Sequence, residues 1–283
     1  MIPALGARKL RDLSAEDVDH WLAAKARTLS TRTLRDIRSI LSRSIARAQA
    51  RDKVKRNVVL LCDVPAGREG RPSKALTLAQ AEQLLDAEEG STIGAYIVLS
   101  LLTGARTEKL RALIWSHVDL DGHPEADPPI PPHIMVWRSV RAGGDTKTRK
   151  SRRTLALPRR CVDALRGQWF RQAAARRLAG GRWQDHDLVF ASETGTQLDA
   201  ANVRRAFRRI AAKAGLPAAG WTPRELRHSF VSLLSDDGVP LEQISRLVGH
   251  SGTSVTELVY RKQIRPVVDD DGATVMDRLF PGA

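Results

Sequence analysis

Apolar residues recur every three or four positions through much of this 283-residue chain, with polar residues between them. Over residues 10–61 this period predicts helix. Ser14 precedes one apolar segment and Asp17 follows three positions later, an arrangement typical of a capped helix start. In residues 30–50 one face is rich in arginine and the other carries an apolar stripe. That stripe consists of Leu34, Ile37, Ile40, Leu41 and Ile45.

Glycine, proline and charged residues concentrate in residues 64–77, "VPAGREGRPSKALT". Such a composition is typical of a linker between domains. The length of the chain suits about two domains. We therefore predict a partial helical domain over residues 1–63, a linker over residues 64–75 and a second domain over residues 76–283.

The second domain is predicted to be mostly helical with a small β-sheet. Thr77 caps its first helix, and the longer, mostly apolar segment over residues 92–115 must be buried. Two strand-like runs, "HIMVWRSV" and "RRTLALP", flank the turn-rich stretch "RAGGDTKTRKS", which predicts a β-hairpin. One later helix has Thr222 as its cap, Pro223 in its first turn and Gly238 at its end. Further helices are predicted over residues 158–179, 199–215 and 240–250.

The charge of the chain points to a polyanionic partner. Lysine and arginine total 46 against 32 acidic residues, so the net charge is +14, and arginine predominates. A guanidinium binds a phosphate through two donors, which an ammonium group cannot do. Arginine and alanine together can also reflect coding bias, but nucleic acid is the first candidate partner.

Other classes of site find little support in the sequence. Cys62 and Cys161 are too far apart in the chain to suggest a metal or disulfide framework, and no histidine pair has metal-ligand spacing. We therefore expect no structural metal and no cofactor. No apolar run approaches about 18 residues, and the first residues lack a signal peptide. A location in the reducing cytoplasm, in association with the nucleoid, is expected.

Four separate stretches place a cation beside a structural break, and a tyrosine follows them. Taken singly, each is weak, because an arginine after a glycine or a lysine on a turn is usually a solvent-exposed surface residue. Tyr260 is one of only two tyrosines, and it lies ten residues after His250. The candidates in chain order are Arg106, Lys147, Arg224, Arg227, His250 and Tyr260.

In this order "TGAR", "TKTRKSRR", "RELRH", "VGHS" and "VY" resemble the tyrosine recombinases, the phage-integrase type of site-specific recombinase. The resemblance extends from about residue 75 to residue 265. It implies an α+β catalytic domain behind a helical core-binding domain. The first helix of the core-binding domain is expected to be missing, so that this domain is truncated. The implied function is DNA recombination and integration of a mobile element.

The resemblance implies that Tyr260 attacks a backbone phosphate of double-stranded DNA. A 3′-phosphotyrosyl link forms and a 5′-hydroxyl leaves, so neither ATP nor a metal is needed. Lys147 would protonate the leaving oxygen as general acid. A phenol has a pKa near 10, so such a nucleophile needs positive neighbours or a base.

The resemblance also implies roles for the other candidates. Arg106 and Arg227 would hold the nonbridging oxygens of the phosphate, and His250 would donate to the same group. Arg224 would add a third cation at a position where many relatives have histidine. Fixed cations suit this reaction, because its transition state spreads negative charge over those oxygens.

The chain departs from the family pattern at Lys109, where a carboxylate usually orients the first arginine. We predict that Lys109 repels Arg106 and slows cleavage. The alternative is that Lys109 extends into solvent and that Glu108 or another carboxylate serves instead.

Assembly into a tetramer on DNA is expected through the C-terminal tail, residues 266–283. Its apolar stripe would dock on a neighbouring protomer, and packing on its own domain is equally compatible with the sequence. The stripe consists of Val275, Met276, Leu279 and Phe280.

Three other functions remain open at this point. The chain can be a DNA-binding integrase remnant without useful turnover, a reading that Lys109 and the short N-terminal domain favour. It can be a type IB topoisomerase, which shares phosphotyrosine chemistry. It can also be a helical transcription regulator, which would have no use for Lys147 or Tyr260.

Overall fold

The computed structural model describes residues 2–69, 74–87, 90–140 and 152–249. These residues form two compact units that divide between residues 72 and 73. The division falls inside the stretch predicted as a linker. Residues 67 and 68 nevertheless belong to the first unit, because Gly67 donates to Thr31 Oγ1 at 2.9 Å and Arg68 donates to Leu29 O at 2.9 Å.

The first unit is helical. Its described helices are α1 (Ile2–Leu5), α2 (Ala15–Ala26) and α3 (Thr31–Gln49), with short 3-10 turns at Leu10–Asp12 and Val58–Leu61. The predicted start of α2 is confirmed: Ser14 Oγ accepts from the Asp17 amide at 3.1 Å, and the Asp17 carboxylate accepts from the Ser14 amide. Helix is not continuous over residues 10–61, since loops interrupt it.

The apolar stripe of α3 is narrower than predicted. Leu34, Leu41 and Ile45 are buried and Ile37 packs beside them, whereas Ile40 is 42% exposed. Intervals of three and four residues place the four packed side chains on one face of α3. Ile40 instead lies about 100° around the helix axis from Leu41. The inclusion of Ile40 in the stripe was therefore wrong.

The second unit is also mainly helical. It contains α4 (Leu78–Asp86), α5 (Thr92–Thr103), α6 (Thr107–Leu110), α7 (Arg159–Ala179), α8 (Ala200–Lys213), α9 (Pro223–Asp236) and α10 (Leu241–Val248). Thr77 caps α4 through Gln80, as predicted. At α9 the Glu225 carboxylate accepts from the amide and hydroxyl of Thr222, and Pro223 occupies the first turn.

A small antiparallel sheet accompanies these helices, in the order β1 (Val118–Asp119), β2 (His133–Met135) and β3 (Thr154–Ala156). Ile134 pairs with Leu155 between β2 and β3, so the predicted strands of the hairpin do pair, although they are shorter than the sequence suggests. β1 was not predicted, because it lies in a segment whose prolines and glycine indicate only loop. The fold class, mainly α with a small sheet, is confirmed.

The core of the second unit surrounds α5. Nearly every residue of α5 is buried, as its uninterrupted apolar sequence predicts, and the helix packs against α7 and α9. Tyr96 of α5 meets Phe190 edge to face with 5.4 Å between ring centroids, and its hydroxyl donates to Thr107 O at 3.3 Å. α5 thus contacts both α6 and α9, which carry residues of the site described next.

Candidate active site

Arg106 lies in a turn that depends on Gly104. α5 ends at Thr103, and Gly104 has a left-handed conformation with φ of 60°, which a residue without Cβ adopts readily. A Cβ at this position would also lie 2.4 Å from the Phe230 ring. Arg106 then precedes α6 in extended conformation and is half-buried. The helix therefore does not continue through Arg106, and a new one begins immediately after it.

Arg227 connects the carboxyl ends of two helices. Its side chain is buried, NH1 donates to Gly104 O at 2.6 Å, and NH2 donates to Val248 O at 2.5 Å. Carbonyls at helix carboxyl ends have no partner within the helix and carry partial negative charge, so they are favourable acceptors for a guanidinium. Arg227 thereby holds the turn that leads to Arg106 beside the end of α10.

Arg224 occupies a different environment one turn earlier on α9. Its side chain is exposed, whereas that of Arg227 is buried. His228, on the next turn, is buried, and burial lowers its pKa to about 4, with a smaller contribution from Arg224. Among the candidate cations of α9, only Arg227 therefore lies in the interior with Arg106.

Lys109 is an interior member of the same cluster. Its side chain is only 5% exposed, and Nζ donates to Val136 O at 3.0 Å, just beyond β2. Its amide donates to Arg106 O at 2.8 Å. The alternative in which Lys109 extends into solvent is therefore wrong, because a backbone carbonyl next to the sheet holds the ammonium group inside.

Arg153 is a further cation of this region that was not predicted from the sequence. It directly precedes β3, and its NH1 donates to Leu247 O in the last turn of α10. The alternation of side chains between the two faces of the strand could have indicated this residue. Leu155 and Leu157 are buried, and residue 153 lies on the same face, because side chains two apart point the same way. A charged residue in register with buried leucines is a candidate for a functional interior site.

The four cations influence one another. Burial lowers the pKa of Lys109 to about 8, with further lowering by Arg153, Arg106 and Arg227. Burial likewise lowers the pKa of Arg153 to about 9, followed by the effects of Arg227 and Arg106. Concentrated positive charge of this kind favours an anionic ligand, and guanidinium groups suit the oxygens of a phosphate.

Half of the predicted catalytic residues fall outside the described part of the chain. These are Lys147, His250 and Tyr260, and the tail over residues 266–283 is outside it as well. Within the described part, the structure brings Arg106 and Arg227 together, adds Lys109 and Arg153, and leaves Arg224 at the surface.

The described residues contain neither a cluster of candidate metal ligands nor a helix that could span a membrane. In those four ranges no group of three or more histidine, cysteine or acidic residues is placed to hold a metal ion. Cys62 and Cys161 are both buried free thiols. None of the helices in the same ranges combines the length and apolar character required to cross a bilayer.

Comparison with known sequences finds relatives over most of the chain. A model of the Phage integrase family matches residues 74–264. An integrase of Streptomyces ambofaciens is 68% identical over 281 residues, which are 99% of this chain and 72% of that protein. A XerC-like tyrosine recombinase of Caldanaerobacter subterraneus is 26% identical over 213 residues, which are 71% of this chain and 53% of that protein.

Comparison with solved structures finds the same fold at lower identity. The Tn1549 transposon integrase in complex with transposon right end DNA superimposes with a TM-score of 0.71 at 21% identity, over 97% of this chain and 88% of that chain. A lambda integrase dimer bound to a COC′ core site superimposes with a TM-score of 0.63 at 19% identity, over 93% and 85% of the two chains.

Proposed function

The chain belongs to the phage integrase family, and from this premise we propose how its residues act on DNA. Its reaction is site-specific DNA recombination of the tyrosine recombinase type. We assign double-stranded DNA as the substrate and Tyr260 as the nucleophile. The Tyr260 oxygen attacks a backbone phosphorus, the bond from phosphorus to the 5′-oxygen breaks, and a 3′-phosphotyrosyl link remains.

Proton transfers accompany this exchange of bonds. The phenol gives up its proton to water as its oxygen bonds to phosphorus, and the leaving 5′-oxygen takes up a proton from Lys147. The 5′-hydroxyl of a partner strand then attacks the phosphotyrosyl link, the bond from phosphorus to the Tyr260 oxygen breaks, and a phosphodiester is restored. The attacking hydroxyl loses its proton in this step and the released phenol regains one. One phosphodiester is exchanged for another, so the reaction needs no external energy source.

The interior cations support this assignment most strongly. The phosphate carries negative charge that increases on its nonbridging oxygens in the transition state, and preorganised donors stabilise it there. Arg106 and Arg227 are held in one region through the contact between Arg227 and Gly104 O at 2.6 Å. We assign these two arginines to the nonbridging oxygens, with His250 as a further donor. Arg224, at the surface end of α9, is assigned to the phosphate or its neighbour on the same strand.

DNA binding by the whole chain is supported by its charge of +14 and by exposed arginines on α3. Relatives of the same fold include integrases solved with DNA, one of them as a dimer. We further propose that protomers assemble as a tetramer on DNA through the tail over residues 266–283. Deleting these residues should weaken cooperative assembly and leave the second unit folded.

Adduct trapping tests the function. A nicked substrate that loses a short 5′-hydroxyl fragment on cleavage should accumulate a covalent protein–DNA product. Tyr260→Phe should abolish this product while DNA affinity stays within about twofold, because only the nucleophilic oxygen is lost. The matched control is Tyr96→Phe, which removes the other tyrosine hydroxyl of the chain, a buried group bonded to Thr107 O. The assignment would be contradicted if Tyr260→Phe still forms the adduct. It would also be contradicted if Tyr96→Phe, in which Tyr260 is intact, forms none.

The buried Lys109 favours a second candidate, an integrase remnant that binds DNA but turns over poorly. Its ammonium group lies among three arginines, and like charges in an interior are costly. The same trapping experiment distinguishes the two, because a remnant binds the substrate without forming the adduct. A supercoil-relaxation assay with substrate lacking recombination sites separates topoisomerase activity from both.

A further inference from the structure

Two arginines from different elements hold the last turn of α10. The carbonyls of Leu247 and Val248 are consecutive acceptors at the carboxyl end of this helix. Arg153 NH1 donates to the first and Arg227 NH2 donates to the second, the latter at 2.5 Å. Carbonyls in this position lack partners within the helix, and the helix dipole favours cations there. Both contacts therefore fix the same turn.

The contact of Arg153 extends to the residue that ends the helix. Gly249 has a left-handed conformation with φ of 65°. A Cβ at Gly249 would lie 2.7 Å from Nε of Arg153 and 2.9 Å from its Cζ. The guanidinium group thus packs directly on the glycine backbone, and Gly249 is required both for its conformation and for this close approach.

The backbone of Arg153 is held as firmly as its side chain. Val136 donates from its amide to Arg153 O at 2.9 Å, and the carbonyl of the same Val136 accepts from Lys109 Nζ at 3.0 Å. Arg153 therefore connects two parts of the site. Its backbone is tied to the sheet and, through Val136, to the helix that follows Arg106, and its side chain is tied to α10.

This arrangement is costly for a purely structural contact. Within the described residues, Nε and NH2 of Arg153 are buried and have no hydrogen-bond partner, and Arg106 and Arg227 are positive neighbours. An apolar side chain would cover the glycine without a buried charge. The guanidinium has instead the length and direction to hold a helix end at a defined distance from Arg227.

We propose that Arg153 is a positioning residue of the strand-transfer reaction. It holds the last turn of α10 against Arg227, so that the turn at Gly249 meets the phosphate in one fixed place. The inference rests on the proposed function and adds to it a residue that acts through α10. A displacement of about 1 Å at a reacting group can cost on the order of a hundredfold in rate.

The first test compares Arg153→Gln, Arg153→Lys and the neighbouring control Arg152→Gln, which removes the same charge from an exposed side chain. Single-turnover cleavage is measured at saturating DNA, with affinity and melting temperature measured alongside. Arg153→Gln should cleave roughly ten- to a hundredfold more slowly with affinity within about twofold. Arg153→Lys should recover part of the rate, and Arg152→Gln should cleave at the natural rate.

A double-mutant cycle then isolates the contact with Gly249. Gly249→Ala and Arg153→Gln remove the same contact, so their combined loss of cleavage rate should be smaller than the product of the single losses. The control is Gly238→Ala, at a glycine with φ of 83° and no atom within 4 Å of an added Cβ. The double variant of Gly238→Ala with Arg153→Gln should lose cleavage rate by the product of the two single losses.

Natural cleavage rates in Arg153→Gln, or losses for Gly249→Ala and Arg153→Gln that simply multiply, would overturn the inference. If Arg153→Gln does not fold, the same judgement is made on Arg153→Lys, which should cleave more slowly than the natural protein. Failure of the natural protein to form a Tyr260 adduct would instead refute the proposed function. The two failures are therefore distinguishable.

Discussion

α3 in the first unit and α9 in the second unit place the same side chain in opposite environments. On α3, Arg32, Arg35, Arg43 and Arg47 are exposed, and in the described part of the chain no carboxylate pairs with them. On α9, Arg227 is 8% exposed and donates to two helix-end carbonyls. Both sets contribute to one net charge, but only the second has a defined geometry.

This difference separates affinity from chemistry. Exposed arginines attract a polyanion by releasing counterions, an effect that depends on their number and falls with salt. A buried guanidinium held at fixed distances can stabilise charge that develops at one position. We therefore expect changes on α3 to alter how tightly DNA binds, and changes at Arg227 and its neighbours to alter how fast it is cleaved.

Among the changes that test this comparison, substitution of Arg227 should have the largest effect on the cleavage rate. Arg227→Gln should lower single-turnover cleavage by about a hundredfold or more, as removal of one transition-state donor typically does. The melting temperature should also fall, because the link between Gly104 O and Val248 O is lost. Arg224→Gln, one turn away at the surface, should lose less activity. Equal losses for the two variants would show that burial of Arg227 is irrelevant to the rate.

The position of Arg227 could be predicted from the sequence only in part. The bounds of α9 are set by Thr222, Pro223 and Gly238. Local start and stop signals of this kind can be recognised in a single sequence. The spacing of three residues between Arg224 and Arg227 placed both on one side of the helix. It could not show that one is exposed and the other buried, because burial depends on α5 and α10, which are remote in sequence.

Lys109 and Arg153 were harder to predict for the same reason. The break at Gly104 means that Lys109 belongs to a new four-residue helix, and its partner Val136 is 27 residues away. Arg153 meets an acceptor 94 residues away. Long-range backbone carbonyls leave no motif in a sequence, whereas caps, turns and strand alternation do.

Lys109→Glu should have the second-largest effect. A carboxylate among Arg106, Arg153 and Arg227 would replace repulsion by attraction, although the bond to Val136 O would be lost. Cleavage is expected to rise several-fold, and the melting temperature by roughly 2–4 °C for each kcal/mol gained. Lys109→Met is the matched control, since it removes the charge without adding a carboxylate. A cleavage rate equal to that of the natural protein would show that Lys109 is tolerated.

The pH dependence of stability should report the buried ammonium group directly. The folded pKa of Lys109 is about 8, against 10.5 for an ordinary lysine, because of burial and of Arg153, Arg106 and Arg227. The unfolded chain therefore binds more protons between these values, and stability contributed by this group rises with pH in that window. Below pH 8 Lys109 is charged in both the folded and the unfolded state, so the full destabilisation from burying its ammonium group is present.

Denaturant unfolding of the natural protein and of Lys109→Met from pH 7 to pH 10 measures this effect. The natural protein should gain free energy of unfolding relative to the variant as pH rises above 8. A difference that is constant over the range would mean that Lys109 titrates at an ordinary pKa.

Neutralising α3 should have the smallest effect. Each phosphate contact contributes about −0.9 to the slope of log affinity against log salt. Arg35→Gln with Arg43→Gln should therefore reduce the slope by about 2 if both arginines contact phosphates. DNA binding at several salt concentrations provides the measurement, and an unchanged slope would exclude α3 from the DNA surface.

We propose that the buried cations determine the rate of cleavage and that the exposed cations determine the affinity for DNA. A single crossed experiment tests it: single-turnover cleavage is measured across DNA concentrations for Arg227→Gln and for the double variant Arg35→Gln with Arg43→Gln. We predict that Arg227→Gln lowers the rate at saturation by about a hundredfold with little change in the half-saturating concentration. The double variant should raise the half-saturating concentration and reach the natural rate at saturation. A lowered saturating rate in the double variant, or an Arg227→Gln protein impaired only in affinity, would contradict the claim.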